Sequence, residues 1–497
     1  MSFSQILKTH IQPSIKLIEL EDFDNSVDGE APQFSKKRKS LPDFSQTAGK
    51  LTPFIKIDGR VISNIERLVI DESGFIPLLE LMFIDSSGEF AGNYFPKRNL
   101  IVSIFINSAN PKLKPIRSDY LITHVKSISP RNRGSRITIN SEITYIIKAE
   151  LFVPRLYNSV SKSYPNMTSV DTLKKVCGEL GLGFALNSFT PADSMTWINI
   201  NTSPSNFIKE VLNYSYQDDD QFIDGFINKE MILTMVNVNE QLKILETSLI
   251  FSNASDSMTV SLNQEQKNSS LGPAINDLAV VNFLTNQKSN SGKANYIYEA
   301  NLISDQGSIL KYEGYKKKIY YYDHLESGNK KDKSFFVAPT NTAGSEESSM
   351  LIPSDEGLDE IGNKKWMNIN YGNTHEHWNA ARVFNSHNKK ELEKLKLKIL
   401  LKGINFQAIR GMTIPVLMMQ TMAEKVAKET SLDESTKVNK DNEARDTETI
   451  DTQLSGWYYI KEAKYIFDPQ DPHQFLTELV LARREWSPNK IKFTANA

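Results

Sequence analysis

Cysteine is nearly absent from this chain of 497 residues, which contains only Cys177. A single thiol excludes an intrachain disulfide framework, a zinc site built on cysteines and an iron–sulfur cluster. An excess of one charge is also absent, because 58 basic and 60 acidic side chains give a formal net charge of -2. Phosphate contacts need a basic excess, so the composition argues against a dedicated, sequence-specific nucleic-acid-binding protein.

Long apolar segments are absent as well. The best runs, 76–84 and 100–106, are far shorter than the roughly 18 apolar residues that a membrane-spanning helix needs. Charged residues interrupt residues 1–20, so we expect no signal-peptide core and no membrane partner. The remaining composition, 39% apolar and 10% aromatic, is sufficient for folded cores. Together with the length, it predicts a soluble, non-secretory protein of about two to four domains.

Motifs that carry chemistry are missing from the sequence. It contains neither the glycine-rich phosphate loop nor the G-x-S-x-G nucleophile elbow. The clustered histidines His375, His377 and His387 favour a polar helix start or an interface over a metal site, because positions i and i+2 of a helix point apart. The acidic run 218–220 lacks the spacing of a calcium loop and favours a solvated turn. We therefore expect no catalytic or metal-binding residue and no cofactor.

The apolar pattern predicts a mainly β chain of the α+β class. Short alternating segments indicate a first β-domain, a sandwich or small barrel, over 51–148. Its predicted strands are Phe54–Ile57, Val61–Ile70, Leu78–Ile84, Leu100–Ile106, Tyr120–Ile128 and Arg136–Ile143. A small mixed α/β module follows over 149–268, with one helix capped by Ser169 and another opened by Ser203-Pro204.

The rest of the chain returns to strand patterns. Apolar and lysine residues alternate one by one over 394–399, which predicts a half-buried strand with a cationic outer face. Polar composition indicates two insertions in this second β-domain, the first of them mobile. The predicted divisions are an N-terminal arm 1–50, domains 51–148, 149–268 and 269–486, inserts 323–373 and 420–455, and a C-terminal tail 487–497.

Two hairpins in the two β-domains share a spacing of tyrosine, proline and threonine. Each hairpin also follows another predicted strand, 100–106 in one case and 412–418 in the other. A repeated spacing of this kind predicts that the chain carries two copies of a similar β-unit. The aligned positions are Tyr120, Pro130 and Thr138 in the first copy and Tyr459, Pro469 and Thr477 in the second.

The order of elements in the C-terminal third resembles that of a known family. A helix near His375 leads to an alternating strand, then to Gly403-Ile404-Asn405-Phe406, Arg410-Gly411 and a strand, and finally to the hairpin 458–481. This order is similar to the end of the central baseplate hub protein of contractile-tailed bacteriophages and to the hub region of the type VI secretion spike protein. In those terms, the structural turn of the second tube domain is formed by Gly403, Phe406, Arg410 and Gly411. An exposed arginine and aromatic pair is typical of interfaces, so Arg484 and Trp486 are candidate interface residues.

The resemblance implies a structural role without a chemical step. Each chain would contribute two similar antiparallel β-barrel tube domains, and three chains would form a homotrimeric, pseudo-sixfold ring. That ring would join the hexameric tail tube to the trimeric central spike in the virion baseplate, after assembly in the host cytoplasm. The implied partners are copies of the chain itself, the tail tube protein and the central spike protein, and then the tape measure and baseplate wedge proteins.

Two other functions stay open at this level. The first is a tail-associated cell-wall hydrolase, although no convergent acid and base can be nominated from the sequence. The second is a receptor- or carbohydrate-binding baseplate protein. Its candidate feature is the tyrosine run 320–322, which an ordinary strand explains as well.

Overall fold

The computed structural model describes most of the first two predicted domains and several separate segments of the rest. The described residues are 16–18, 53–90, 98–106, 116–128, 143–187, 189–218, 222–243, 250–254, 257–261, 280–281, 297–304, 317–323, 333–337, 366–370, 374–378, 381–382, 395–404, 408–418, 456–471, 474–483, 492–494 and the single positions 385, 389, 392 and 454. Among these residues no helix has the length and hydropathy needed to cross a bilayer.

Strands dominate the described structure. In chain order they are β1 (Lys16–Ile18), β2 (Phe54–Ile57), β3 (Arg60–Ile62), β4 (Ile65–Asp71), β5 (Leu78–Asp85), β6 (Ile101–Ile106), β7 (Ile116–Ile128), β8 (Ile143–Leu151), β9 (Val160–Met167), β10 (Gly183–Leu186), β11 (Met195–Thr202), β12 (Ile223–Ile227), β13 (Ile232–Asn237), β14 (Ile250–Ala254), β15 (Ser257–Ser261), β16 (Val280–Val281), β17 (Ile297–Ser304), β18 (Lys317–Asp323), β19 (Lys333–Val337), β20 (Trp366–Asn370), β21 (Leu395–Lys402), β22 (Thr413–Leu417), β23 (Gly456–Phe467), β24 (Phe475–Ala482) and β25 (Lys492–Thr494). The helices with assigned bounds are α1 (Ser169–Leu180), α2 (Pro204–Tyr214) and α3 (Val238–Lys243). The fold class is therefore mainly β within α+β, as the sequence predicts.

Thirteen strands form one sheet that contains two similar parts. In the first sheet unit the neighbours run β4-β5-β8-β7-β6-β2, with β3 beyond β2. In the second sheet unit they run β17-β21-β24-β23-β22-β16. The strand order is the same in both units, although β16 lies parallel to β22 whereas β2 lies antiparallel to β6. The predicted internal repeat is thus confirmed in strand order.

Irregularities of pairing fall at equivalent places in the two units. The β7–β8 ladder has a bulge at Thr123, and the β23–β24 ladder has one at Lys461. The β4–β5 ladder has a bulge at Glu66, and the β17–β21 ladder has one at Tyr298. A β-bulge fixes register and bends its strand locally, so two matched bulges indicate one repeated design.

The bulges also correct the alignment read from the sequence. They place Tyr120 level with Tyr458, one residue before the Tyr459 used in the sequence alignment. Thr477 is level with Tyr145, since these residues face Leu401 and Phe83 on the adjoining strands. Thr138 was therefore the wrong partner for Thr477. The turn between β7 and β8 is longer than the turn between β23 and β24, which a fixed spacing cannot accommodate.

Several predicted boundaries need correction. The predicted strand 61–70 is divided between β3 and β4, and the described part of the predicted strand 136–143 is the first residue of β8. The N-cap of α1 is Thr168, whose side chain accepts a hydrogen bond from the Asp171 N–H, so Ser169 is the first helical residue. Ser203 caps α2 as predicted, with Pro204 in the first turn.

The α/β module has its own sheet with the order β1-β10-β13-β12. The predicted N-terminal arm thus contributes β1, which pairs with β10. Helices α1 and α2 bury their apolar faces, including Leu173, Val176, Phe207 and Val211, against this module. Burial of such side chains contributes about 1.5–3 kcal/mol each, so the helices are held by packing more than by propensity.

The remaining described strands form three smaller sheets, in which β9 pairs with β11, β15 and β25 flank β14, and β19 and β20 flank β18. Strands β19 and β20 flank β18 and fall inside the insert 323–373, which therefore contains regular structure. Strand β25, from the predicted tail, pairs in parallel with β14. The insert 420–455 lies outside the described residues except at Leu454.

Candidate functional site at the joint between the two sheet units

The two sheet units meet where β23 pairs with β4, a contact that we call the sheet joint. Four residues of each strand are paired in antiparallel register, with Tyr465 directly opposite Ile70. The ladder continues past β4, because the Glu72 N–H donates to the Ala463 carbonyl at 2.9 Å. The sheet joint therefore makes one continuous sheet out of the two repeats.

The turn between β12 and β13 of the α/β module enters this joint through Lys229. Its backbone N–H donates to Glu72 Oε1 at 2.9 Å, and its Nζ donates to Glu72 Oε2 at 3.2 Å. The same Nζ donates to the Tyr465 hydroxyl at 3.1 Å, which in turn donates to the Ala408 carbonyl at 3.0 Å. Both charged residues are buried, with 2% of Glu72 and 9% of Lys229 exposed. One buried ion pair thus connects the first sheet unit, the module and the second sheet unit.

Arg410 makes a second connection at the same place. Its Nη1 donates to the carbonyls of Glu72, at 2.8 Å, and Gly74. Its Nη2 lies 3.7 Å from a carboxylate oxygen of Asp224, and its guanidinium carbon lies 4.1 Å from the centre of the Phe226 ring. The planar guanidinium suits this combination of carbonyl, carboxylate and aromatic neighbours, which a lysine cannot match.

The surroundings of Tyr459, Tyr465 and Lys229 raise the pKa of each of these groups. Burial, followed by the nearby Asp224 carboxylate, raises the pKa of Tyr459 well above its usual value. Burial likewise raises the pKa of Tyr465 to about 12, although Lys229 opposes this shift. Burial by itself lowers the pKa of Lys229, but Glu72 and Tyr465 outweigh it and raise that pKa. These tyrosines stay protonated and this lysine stays charged near neutral pH, so they suit structural cohesion and not proton transfer.

Gly411, beside Arg410, is required by both conformation and space. Its φ is +86°, and a Cβ at this position would lie 3.0 Å from the Phe226 ring and 3.4 Å from a Val236 methyl group. The equivalent residue of the first sheet unit is Asn99, which also has positive φ, at 60°. Asparagine tolerates this region, but only glycine also permits the close approach of the module.

The other predicted turn residues are placed as follows. Gly403 has a φ of +92° and donates its N–H to the Phe475 carbonyl at 2.6 Å. Its own carbonyl accepts a hydrogen bond from the Thr477 hydroxyl at 2.8 Å. This turn lies at the end of β21, and it is distinct from the sheet joint that contains Arg410 and Gly411. Three predicted positions lie outside the described residues: Phe406, Arg484 and Trp486.

Two of the three predicted histidines, His375 and His377, make aromatic contacts. His375 Nε2 lies 3.0 Å from the Tyr214 carbonyl at the end of α2, and Trp378 stacks on the Tyr214 ring. Burial lowers the pKa of His375 to about 4, so its ring is neutral and Nε2 donates this bond. His377 stacks on Tyr216 instead. Across the described ranges, no three His, Cys, Asp or Glu side chains are grouped as metal ligands. His387 and residues 219–220 lie outside those ranges.

Sequence reasoning found Arg410 and Gly411 but missed the other charged members of the joint. Glu72 follows a strand in an acidic, glycine-containing turn, and Lys229 occupies a hairpin turn, so both have the sequence context of solvated residues. They are 157 residues apart in the chain. No local pattern could have paired them.

Comparison with known proteins gives neighbours among solved structures and none in sequence. No protein-family model and no curated protein matches this chain in sequence. It is similar to the 43 kDa tail protein of prophage MuSo2 from Shewanella oneidensis, with 10% identity, a TM-score of 0.45, and coverage of 87% of this chain and 98% of the other. The tail protein from Neisseria meningitidis MC58 gives 9% identity, a TM-score of 0.44, and coverage of 88% and 99%.

A third neighbour comes from a secretion machine. It is an Escherichia coli component of the type VI secretion system, with 10% identity, a TM-score of 0.38, and coverage of 87% of this chain and 78% of the other. These are the classes of protein that the order of elements in the C-terminal third resembles. Each of these TM-scores is below 0.5.

Proposed function

We propose that this chain is a structural protein of a contractile tail, a homotrimeric baseplate hub whose two tube domains form a pseudo-sixfold ring. The observation that carries the proposal is the repeat of one sheet unit within one chain, with matched bulges, joined edge to edge. Two similar units related by a head-to-tail contact generate a closed ring when the rotation between them divides a full turn. Six units from three chains complete such a ring.

The sheet joint supports a role in holding the two units at a fixed angle. Its buried pair Glu72–Lys229 and the neighbouring Arg410 bind the module to one side of the joint. Each chain carries two sheet units and one α/β module, so a trimer would carry six sheet units but three modules. A ring of this composition is sixfold at the level of its strands and threefold at the level of its modules. That combination matches a hexameric tube on one face and a trimeric spike on the other.

In this proposal the protein acts without a chemical step. Its partners are two copies of itself, the tail tube protein and the central spike protein, with the tape measure and baseplate wedge proteins as further partners. Its place is the tail baseplate of the virion. We further propose the domain limits 51–148, 149–268 and 269–486, with Gly403 in a structural turn of the last domain.

Native mass measurement tests this function. The purified chain of 56.4 kDa is expected at three times its own mass when alone, and at that mass plus the mass of the spike when mixed with the spike protein of the same tail. A peptidoglycan zymogram is the matched control for the hydrolase alternative, and it is expected to show no clearing. A chain that remains monomeric both alone and with the spike protein would falsify the hub assignment.

A further inference from the structure

The long strand β7 and its counterpart β23 differ in the pairing of one edge. On β23, the edge next to β22 continues past Tyr459 and is occupied by β4 from Lys464 to Phe467. On β7, the same edge is paired with β6 as far as Leu121, with a last bond from the Ile122 N–H to the Leu100 carbonyl. Beyond that point, no strand in the described ranges pairs with this edge of β7.

Strand β17 presents the complementary edge. It is equivalent to β4, because the bulges at Glu66 and Tyr298 coincide in the two ladders. One edge of β4 pairs with β5 and the other with β23. Strand β17 pairs with β21, the equivalent of β5, and its other edge has no partner strand among the residues that the structure describes.

Both open edges expose large apolar side chains. Ile128 at the end of β7 is 42% exposed, while Leu302 and Ile303 on β17 are 51% and 42% exposed. The residue of β4 that corresponds to Leu302 is Ile70, which is fully buried in the sheet joint. Among the residues that the structure describes, Leu302 therefore lacks the cover that Ile70 receives at the sheet joint.

We propose that β7 of one copy pairs antiparallel with β17 of a second copy, repeating the geometry of the sheet joint between chains. This inference rests on the proposed ring and names the surfaces that close it. Transfer of the register through the matched bulges places Ser127 opposite Leu302, as Tyr465 lies opposite Ile70. It also aligns the Ser304 N–H with the Val125 carbonyl, as Glu72 is aligned with Ala463.

The strand that pairs with β7 is assigned to a second copy of this chain, because β23 and β4 already make a contact of this geometry within one copy. Exposed strand edges with apolar side chains pair with other strands, and register is fixed where one face becomes buried. The contact is head-to-tail, since β7 and β17 are different surfaces, so it cannot make a two-fold dimer and it makes a ring when the rotation between copies closes.

The contact between chains differs from the internal joint in its chemistry. Ser127 and Ser304 occupy the positions of Tyr465 and Glu72. It therefore relies on backbone hydrogen bonds and on the exposed apolar residues, without the buried ion pair. We expect it to separate at lower denaturant concentration than the internal joint.

Cysteine cross-linking tests the register. Cross-strand neighbours lie within the Cα separation that a disulfide allows, so a chain carrying Ser127→Cys and Leu302→Cys is expected to form covalent trimers on oxidation. The native Cys177 is buried and does not interfere. The matched control combines Ser127→Cys with Ile303→Cys, whose side chains point to opposite faces, and is expected to cross-link at least tenfold more slowly. Equal rates in both pairs overturn the register, and covalent dimers without trimers overturn the ring.

A charge substitution tests the surface independently. Leu302→Asp changes a side chain that is half exposed in the isolated chain, so folding is expected to be retained while the threefold mass is lost. Ile200→Asp, at an apolar residue of the module that is 72% exposed, is the control and is expected to stay trimeric. If the wild-type chain is a trimer, the Leu302→Asp variant is also a trimer and the Ser127→Cys, Leu302→Cys chain does not cross-link, this pairing is refuted but the proposed function stands. A wild-type chain that never trimerises refutes both.

Discussion

Replacing Lys229 with methionine is expected to destabilise the protein strongly, because it leaves the Glu72 carboxylate buried without its cation. Glu72 is 2% exposed, and Lys229 supplies it with a backbone bond at 2.9 Å and an ammonium bond at 3.2 Å. The substitution removes the second bond and the charge, and it also removes the donor at the Tyr465 hydroxyl. Breaking one partner of a buried ion pair costs about 3–5 kcal/mol.

The same reasoning predicts a large coupling in a double-mutant cycle. Glu72→Gln with Lys229→Met removes both charges together, so the double variant is expected to lose less stability than the sum of the single variants. The expected coupling is about 2–3 kcal/mol, since residues of one buried network are not additive. Urea unfolding of all four proteins, followed by tryptophan fluorescence and circular dichroism, measures it.

A matched control is the ion pair between β23 and β4 on the other face of the sheet joint. Lys464 Nζ is 3.3 Å from a carboxylate oxygen of Asp71, but both side chains are partly exposed, at 30% and 25%. Lys464→Met is therefore expected to cost about 0–1 kcal/mol, as solvent screens such pairs. Equal losses for Lys229→Met and Lys464→Met, or strict additivity in the cycle, would refute the view that the buried pair holds the joint.

Two further predictions concern backbone conformation and pH. Gly411→Ala is expected to cost about 2–4 kcal/mol, from positive φ plus contact with Phe226, whereas Gly59→Ala, with φ +87° and open space, should cost about 1–2 kcal/mol. Thermal unfolding of the two variants compares them, and a smaller loss for Gly411→Ala would contradict the close approach. Burial lowers the pKa of His375 to about 4 from the ordinary 6.5, so the unfolded chain binds more protons between these values. Stability from the neutral ring is therefore full above pH 6.5 and falls by about 3 kcal/mol toward pH 4. His375→Gln should remove this part of the acid dependence, and an unchanged slope of stability against pH would count against it.

The repeated β-units were partly readable from the sequence. Tyrosine and proline spacing located both hairpins, and alternation of lysine with apolar residues located β21, in which Leu397 and Ile399 are buried. The register differed by one residue at Tyr120, and the threonine partner was wrong. A bulge adds one residue to a strand and bends the backbone there, but it requires no characteristic residue type. The spacing of residues in the sequence therefore does not reveal it.

The sequence by itself determined the local structure of this protein: its mainly β class, the capped helices of the module, and the glycines of the turns at Gly403 and Gly411. These depend on periodicity, caps and positive φ, which act over a few residues. Only the tertiary structure decided that Glu72, Lys229, Asp224 and Arg410 meet. Their pairing depends on desolvation, because a buried charge is costly unless an opposite charge lies beside it. In the sequence these residues have the context of solvated charges, and they become buried only where three parts of the fold enclose them.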